Sequence, residues 1–228
     1  MDTILITGAN RGLGLEFVRQ YAENGANVLA CCRDLAEASE LQALKEQYNN
    51  IKLFALDVSN TEQIQSLANE LKEPIDILIN NAGMLQKENL QDLSVDTLLQ
   101  TFMVNSIAPI KMAAAFTPHL ANSKRKCLVC ISSSMGSISE NLSGGYYSYR
   151  SSKAALNMLM KSAAIDLASQ GIKVLLLHPG WVRTRMGGSE ATTEAVESIQ
   201  GMRKVIENYQ PAAGEVIFYR YDGGTVKW

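Results

Sequence analysis

What the sequence lacks narrows its function before any motif is read. It carries no strong charge of one sign: 21 basic and 23 acidic side chains leave a formal net charge of −2. No long-range field therefore draws it to nucleic acid or to an anionic membrane. The densest basic cluster, Lys124-Arg125-Lys126, reads as a solvated loop before a strand. No stretch approaches the roughly 18 consecutive apolar residues that mark a bilayer span. No basic, apolar leader precedes the first strand pattern, which begins within Met1–Thr7. A cytoplasmic protein is expected.

Metal-ligating residues are also scarce. There are two histidines, His119 and His178, and four cysteines. Cys127 and Cys130 have the C-x-x-C spacing of a redox or zinc site, but they fall in an apolar strand pattern, where residues three apart point to opposite faces. With no second ligand pair, no metal site is expected. The cysteines, Cys31-Cys32 included, read as reduced and buried, and His178 as a hydrogen-bonded structural residue.

Apolar runs alternate with amphipathic stretches from end to end. Thr3–Thr7, Asn27–Cys31, Ile51–Leu56, Ile75–Ile79, Cys127–Ile131, Ile172–Leu177 and Glu215–Tyr219 read as strands covered on both faces. Helical periodicity is clearest over Gly12–Asn24, Leu35–Tyr48, Thr61–Leu71 and Tyr149–Ser169. Gly25 and Gly171 stand at C-terminal caps and Asn60 at the N-cap of the third helix. Strands alternating with helices predict a doubly wound α/β Rossmann fold: a mainly parallel seven-stranded sheet flanked by helices. No composition break or repeat divides residues 1–228, so one domain is expected. In such a sheet ligands bind beyond the carboxyl ends of the strands, where the strand order reverses.

The residues just after each strand carry the unusual chemistry. Thr7-Gly8-Ala9-Asn10-Arg11-Gly12-Leu13-Gly14 opens directly into a helix. Its glycines permit a tight turn that brings backbone N–H groups and the positive helix end up to a pyrophosphate. A site selecting NAD places an acid after the second strand to accept from the ribose 2′-hydroxyl. This chain has Cys31-Cys32-Arg33-Asp34 there. Arg33, with Arg11, offers planar forks of donors for a 2′-phosphate, so NADP(H) is expected over NAD(H). Asp34 is the one residue that could serve as the NAD-type acid; its other role is to cap the following helix. Asp57 and Val58 end the third strand, and Asn81, Ala82 and Gly83 follow the fourth, where an adenine ring and its ribose would rest.

Tyr149 and Lys153 are four residues apart and share a helix face. A tyrosine near its ordinary pKa of 10 is a weak acid–base catalyst at neutral pH, and a nearby ammonium would lower that value. Tyr146 and Tyr147 crowd the same stretch, but neither has a lysine at i+4. Ser132, Ser133 and Ser134 follow the fifth strand, and a hydroxyl there can steady charge developing on a substrate oxygen. Composition does not choose among the three.

Several spaced motifs together resemble the short-chain dehydrogenase/reductase family over essentially the whole chain: TGANRGLG (7–14), NNAG (80–83), MVNSIAP around Asn105, ISSSMG (131–136), YRSSK (149–153) and HPGWVRT (178–184). The carbonyl-reductase branch is the most similar, on GGYYSYRSSKAALN (144–157), HPGWVRTRMGG (178–188) and YDGGTVKW (221–228). The resemblance implies that Tyr149 is the acid/base, that Ser133 is the catalytic serine, and that Lys153 lowers the tyrosine's pKa and holds the nicotinamide ribose. It also implies that Asn105 kinks its helix and anchors a water-linked proton relay. Pro179, Gly180, Val182 and Thr184 would cover the nicotinamide, and Gly187–Gln200 would form the substrate loop.

The implied reaction is NADP(H)-dependent interconversion of a carbonyl and an alcohol on a small molecule. Two other enzymes fit the fold, an NAD-linked dehydrogenase and a reductase of acyl-carrier thioesters. Arg33 weighs against the first and the absence of a basic patch near the substrate loop against the second. A dinucleotide-sensing signalling protein without catalysis is a further alternative, and the intact set of Asn105, Ser133, Tyr149 and Lys153 weighs against it. By the same resemblance a homodimer or homotetramer is expected, pairing through the helices of Asn105 and Tyr149; Met158, Leu159 and Ala163 fit either that pairing face or a core face against the sheet.

Overall fold

The computed structural model describes all residues, Met1–Trp228. Seven parallel strands form a single sheet: β1 (Thr3–Thr7), β2 (Asn27–Cys32), β3 (Ile51–Ala55), β4 (Ile77–Asn80), β5 (Cys127–Ile131), β6 (Lys173–His178) and β7 (Phe218–Arg220). Their spatial order is β3-β2-β1-β4-β5-β6-β7, the Rossmann arrangement expected from alternating strands and helices. The order reverses between β1 and β4, which opens a crevice beyond their carboxyl ends.

Seven helices cover the sheet: α1 (Gly12–Glu23), α2 (Ser39–Gln47), α3 (Thr61–Glu70), α4 (Val95–Phe102), α5 (Ala108–Ala121), α6 (Tyr147–Leu167) and α7 (Ala195–Asn208). Alternate strand residues feed two cores. Ile4 and Ile6 pack with Phe17 and Val18 of α1 and with Ile199 and Met202 of α7. Leu5, Leu78 and Leu128 pack on the other face with Ile64 of α3, Phe116 of α5 and Leu156 of α6. Cys127 belongs to the first core and Cys130 to the second. All four cysteines are free and buried, and no cluster of side chains suits a metal ion. No helix is long and apolar enough to cross a membrane.

Local chemistry explains the ends. Asn60 accepts from the N–H groups of Glu62 and Gln63 and caps α3, and Gly25 and Gly171 take positive φ just past their helices. Several expected elements are shorter, most by a residue at an end. Asp34 does not cap a helix beginning at Leu35; its Oδ1 accepts from Ala36 N at 2.9 Å in a turn, and α2 starts only at Ser39. Ile75 and Asp76 precede β4, with Ile75 N donating to His119 O. Ala212–Glu215 closes a turn held by the Glu215 carboxylate, so only Phe218–Arg220 pairs with β6. The expected loop Gly187–Gln200 ends at Glu194, because Ala195–Gln200 begin α7. The expected pairing face also divides: Met158 is exposed, Leu159 packs partly on the core, and Ala163 is buried.

Candidate active site

The glycine turn lies in the crevice and is clamped from below. Thr7 Oγ1 accepts from the backbone N–H groups of Asn81 (3.0 Å) and Ala82 (3.1 Å). Asn81 Nδ2 donates to the carbonyls of Thr7 (2.9 Å) and Gly8 (3.1 Å). The side chain of Asn81 is thus committed to shaping the turn. Space, too, is restricted. A Cβ on Gly8, whose φ is +64°, would lie 2.9 Å from Ala82 Cα; one on Gly14 would lie 2.1 Å from Gly8 O. Arg11 precedes α1 without a side-chain cap, and no acid stands in the helix's first turn. Its leading N–H groups are therefore left for an anion, which the helix dipole favours. These features fit a dinucleotide pyrophosphate. Asn10 is half-buried beside the turn, while Leu13 packs onto the core.

Arg11 and Arg33 are exposed, and neither forms an ion pair. Asp57 accepts from Ser59 N (2.9 Å) and Ser59 Oγ (2.6 Å). The Ser59 hydroxyl, with a smaller contribution from Arg33, holds its carboxyl below the usual range. Val58 packs partly on the second core.

On the other side of the crevice, α4 and α5 are joined by a π-helical turn, Met103–Ile107, a widening that often marks functional positions. It turns Asn105 inward. Asn105 Oδ1 accepts from Met84 N (2.9 Å), and its Nδ2 donates to Met84 O (2.9 Å) and Ser152 Oγ (3.1 Å). A Cβ on Gly83 would lie 3.4 Å from Asn105 Oδ1 and 3.8 Å from Lys153 Nζ. Gly83, Asn105 and Lys153 therefore converge.

Beyond β5 a 3₁₀ turn, Ser134–Gly136, is capped by Ser133, whose Oγ accepts from Met135 N at 3.1 Å. Ser132 is turned away, donating to Asn157 Oδ1 at 2.7 Å. A Cβ on Gly136 would lie 2.7 Å from Lys153 Cβ, so this glycine lets the serine turn press against α6. That helix starts after Tyr146 in a left-handed conformation (φ 51°), with the Glu88 carboxylate accepting from Ser148 N. Of the three tyrosines only Tyr149 is buried, at 8 % exposure.

The electrostatics differ from the expectation that Lys153 lowers the pKa of Tyr149. Burial pushes the Tyr149 phenol above its ordinary value, and the Ser133 hydroxyl beside it pulls the other way. The Lys153 ammonium donates to Ile131 O at 2.8 Å and stands 5.8 Å from the Tyr149 ring centroid. Burial lowers its own pKa to about 8. His178 is half-buried and pushed down to about 4, but its Nδ1 has no partner, unlike the hydrogen-bonded residue expected.

The segment after β6 closes the crevice. Pro179 O accepts from Ser198 Oγ at 2.6 Å, Gly180 has φ +86° against the Tyr221 ring, and Val182 bridges to Thr193. Thr184 borders the glycine turn, its Cγ2 being 3.4 Å from where a Gly12 Cβ would stand.

Residues 2–195 match the family model described as short chain dehydrogenase. The chain belongs to that family. Among relatives of this short-chain dehydrogenase, C-signal of Myxococcus xanthus is 41% identical over 157 residues, 68% of this chain and 93% of that protein. An NADPH-bound carbonyl reductase from chicken fatty liver is 32% identical with a TM-score of 0.94, covering 100% of this chain and 99% of that one. Carbonyl reductase Sniffer of D. melanogaster is 33% identical with a TM-score of 0.93, both chains being covered completely.

Thr7, Ser152, Gly136, Glu88 and Asn157 were not singled out in the sequence although they position the site. All but Glu88 lie inside the quoted motifs, where nothing local marks the contacts they make. Glu88 reaches Ser148 from 60 residues away in sequence, which no local pattern signals.

Proposed function

We propose that this short-chain dehydrogenase interconverts a carbonyl and an alcohol on a small molecule with NADP(H) as cofactor, residues 1–228 acting as one domain. The observation that carries the reading is the burial of Tyr149 beside Ser133, with Lys153 and Asn105 one layer behind, at the crevice that also holds the glycine turn. The likeness to an NADPH-bound carbonyl reductase supports the same chemistry.

The bound nicotinamide supplies or accepts the hydride. Gly8, Gly12 and Gly14 would hold the pyrophosphate against the α1 N-terminus, Arg11 and Arg33 a 2′-phosphate, and Asp57, Val58, Ala82 and Gly83 the adenosine. Tyr149 Oη gives a proton to the substrate oxygen during reduction, where burial keeps the phenol protonated at neutral pH. Ser133 Oγ donates a hydrogen bond to that oxygen and steadies its developing charge. Lys153 and Asn105 hold the polar floor from which the phenol is reprotonated. Pro179 to Thr184 exclude water from one side.

The experiment is oxidation of NADPH and NADH against a panel of aldehydes, ketones and quinones. Turnover with NADPH, preferred over NADH and lost in Tyr149→Phe, is the expected result. No turnover of any carbonyl with either cofactor would overturn the reading.

A further inference from the structure

The chain that returns after β7 reaches the loop joining the catalytic serine to the catalytic helix. Tyr219 and Thr225 form an antiparallel bridge, and Val226, buried in the core, donates its N–H to Phe218 O at 2.7 Å. The rings of Phe218 and Trp228 lie 6.1 Å apart. Anchored in this way, Trp228 O accepts from Ser139 N (3.0 Å), Ser139 Oγ (2.5 Å) and Ser137 Oγ (3.3 Å). Lys227 N donates to the Glu140 carboxylate at 3.4 Å, and Ser137 Oγ also accepts from Glu140 N at 3.1 Å.

Ser137 follows directly on the turn capped by Ser133, and Gly136 before it presses on Lys153. The chain bends at Ile138, between two serines that both turn to Trp228. The Ile138 side chain itself is 81% exposed. Leu142, further along the same loop, is 95% exposed. Two large apolar side chains thus stand in solvent on the only stretch of chain between Ser133 and Tyr149.

We propose that Thr225–Trp228 is a positioning strap for the active site: it fixes Ser137–Glu140 and so places Ile138 as an apolar wall against the larger substituent of a carbonyl substrate. Neither Trp228 nor the serines touch the reacting atoms. The role rests on the carbonyl-reducing reading above. It predicts that loosening the strap affects bulky substrates more than small ones and leaves the cofactor side alone.

The test compares the wild type with Trp228→Ala, Trp228→Phe and the double variant Ser137→Ala/Ser139→Ala. NADPH affinity is measured by fluorescence titration, hydrogen exchange over residues 137–143 by mass spectrometry, and kcat and KM with a small aldehyde and a bulky aromatic ketone. Trp228→Ala and the serine double variant are expected to exchange faster over 137–143 only, with NADPH affinity within about twofold of wild type. KM for the ketone should rise about fivefold or more and that for the aldehyde less than about twofold, with Trp228→Phe close to wild type. Unchanged exchange, or an unchanged ratio of the two KM values, overturns the strap. Loss of NADPH affinity together with uniform loss of activity overturns it as well, since the segment would then support the fold in general. A wild type that reduces no carbonyl defeats the functional reading and the substrate wall with it, and the exchange result then separately decides whether the strap holds the loop.

Discussion

Replacing Lys153 by methionine removes a charge that the fold buries at some expense in stability. Lys153 is 4% exposed, and the hydrogen-bond partner of its ammonium is the Ile131 carbonyl at 2.8 Å. Burial lowers its pKa from 10.5 to about 8, which corresponds to about 3 kcal/mol in favour of the neutral form. Below pH 8, folded and unfolded chains without cofactor both hold the proton and the penalty is constant. Between about pH 8 and 10.5 the unfolded chain still holds a proton that the folded chain has released, so stability rises with pH. Lys153→Met carries no such proton. At pH 7 it should be more stable than wild type by about 1–2 kcal/mol, the lost hydrogen bond having been subtracted. By pH 9.5 that advantage should shrink by about 2 kcal/mol. The buried thiols of Cys127 and Cys130, raised from 9.0 to about 11 and about 12, act the opposite way above pH 9. They are common to both proteins and largely cancel in the difference. Urea midpoints of the two proteins from pH 7 to 9.5 measure it. A constant difference across that range would refute the argument.

Further consequences concern other parts of the site. His178 is lowered from 6.5 to about 4, chiefly by burial. Between those values the unfolded chain binds a proton that the folded chain does not, so stability falls on acidification by up to about 3 kcal/mol; a His178→Gln variant followed by urea titration should lose less. Gly14→Ala drives a methyl group to 2.1 Å from Gly8 O. It should cost about 1–3 kcal/mol or more, seen as a lower melting temperature with a diminished shift on adding NADPH. Arg33→Ala should weaken NADPH binding about 10- to 100-fold, on the scale of a lost charged hydrogen bond, and leave NADH within about twofold. An unchanged NADPH preference would remove Arg33 from the account.

The parallel sheet was legible because its strands are uniformly apolar and bounded by turn residues, and Gly25, Asn60 and Gly171 carry their structural roles in their side-chain chemistry. Tertiary contacts decided the rest. Asp34 looks like a cap in sequence but closes a turn, because α2 begins five residues later. Residues 195–200 of α7 read as part of a loop, although Ile199 is buried in the core that α1 also joins. At the site, spacing put Tyr149 and Lys153 on one face, but the pKa directions come first from burial, which raises the phenol and lowers the ammonium. Composition left the three serines equivalent and only the family resemblance chose Ser133; in the structure Asn157 engages Ser132 and Ser133 lies beside the phenol.

The central claim is that Tyr149 supplies the proton. It is tested most directly by Tyr149→Phe, measured for NADPH oxidation with the best carbonyl substrate and for NADPH affinity by fluorescence. The account predicts a fall in kcat of about 10²- to 10⁴-fold with NADPH affinity unchanged. Full activity in Tyr149→Phe would contradict it.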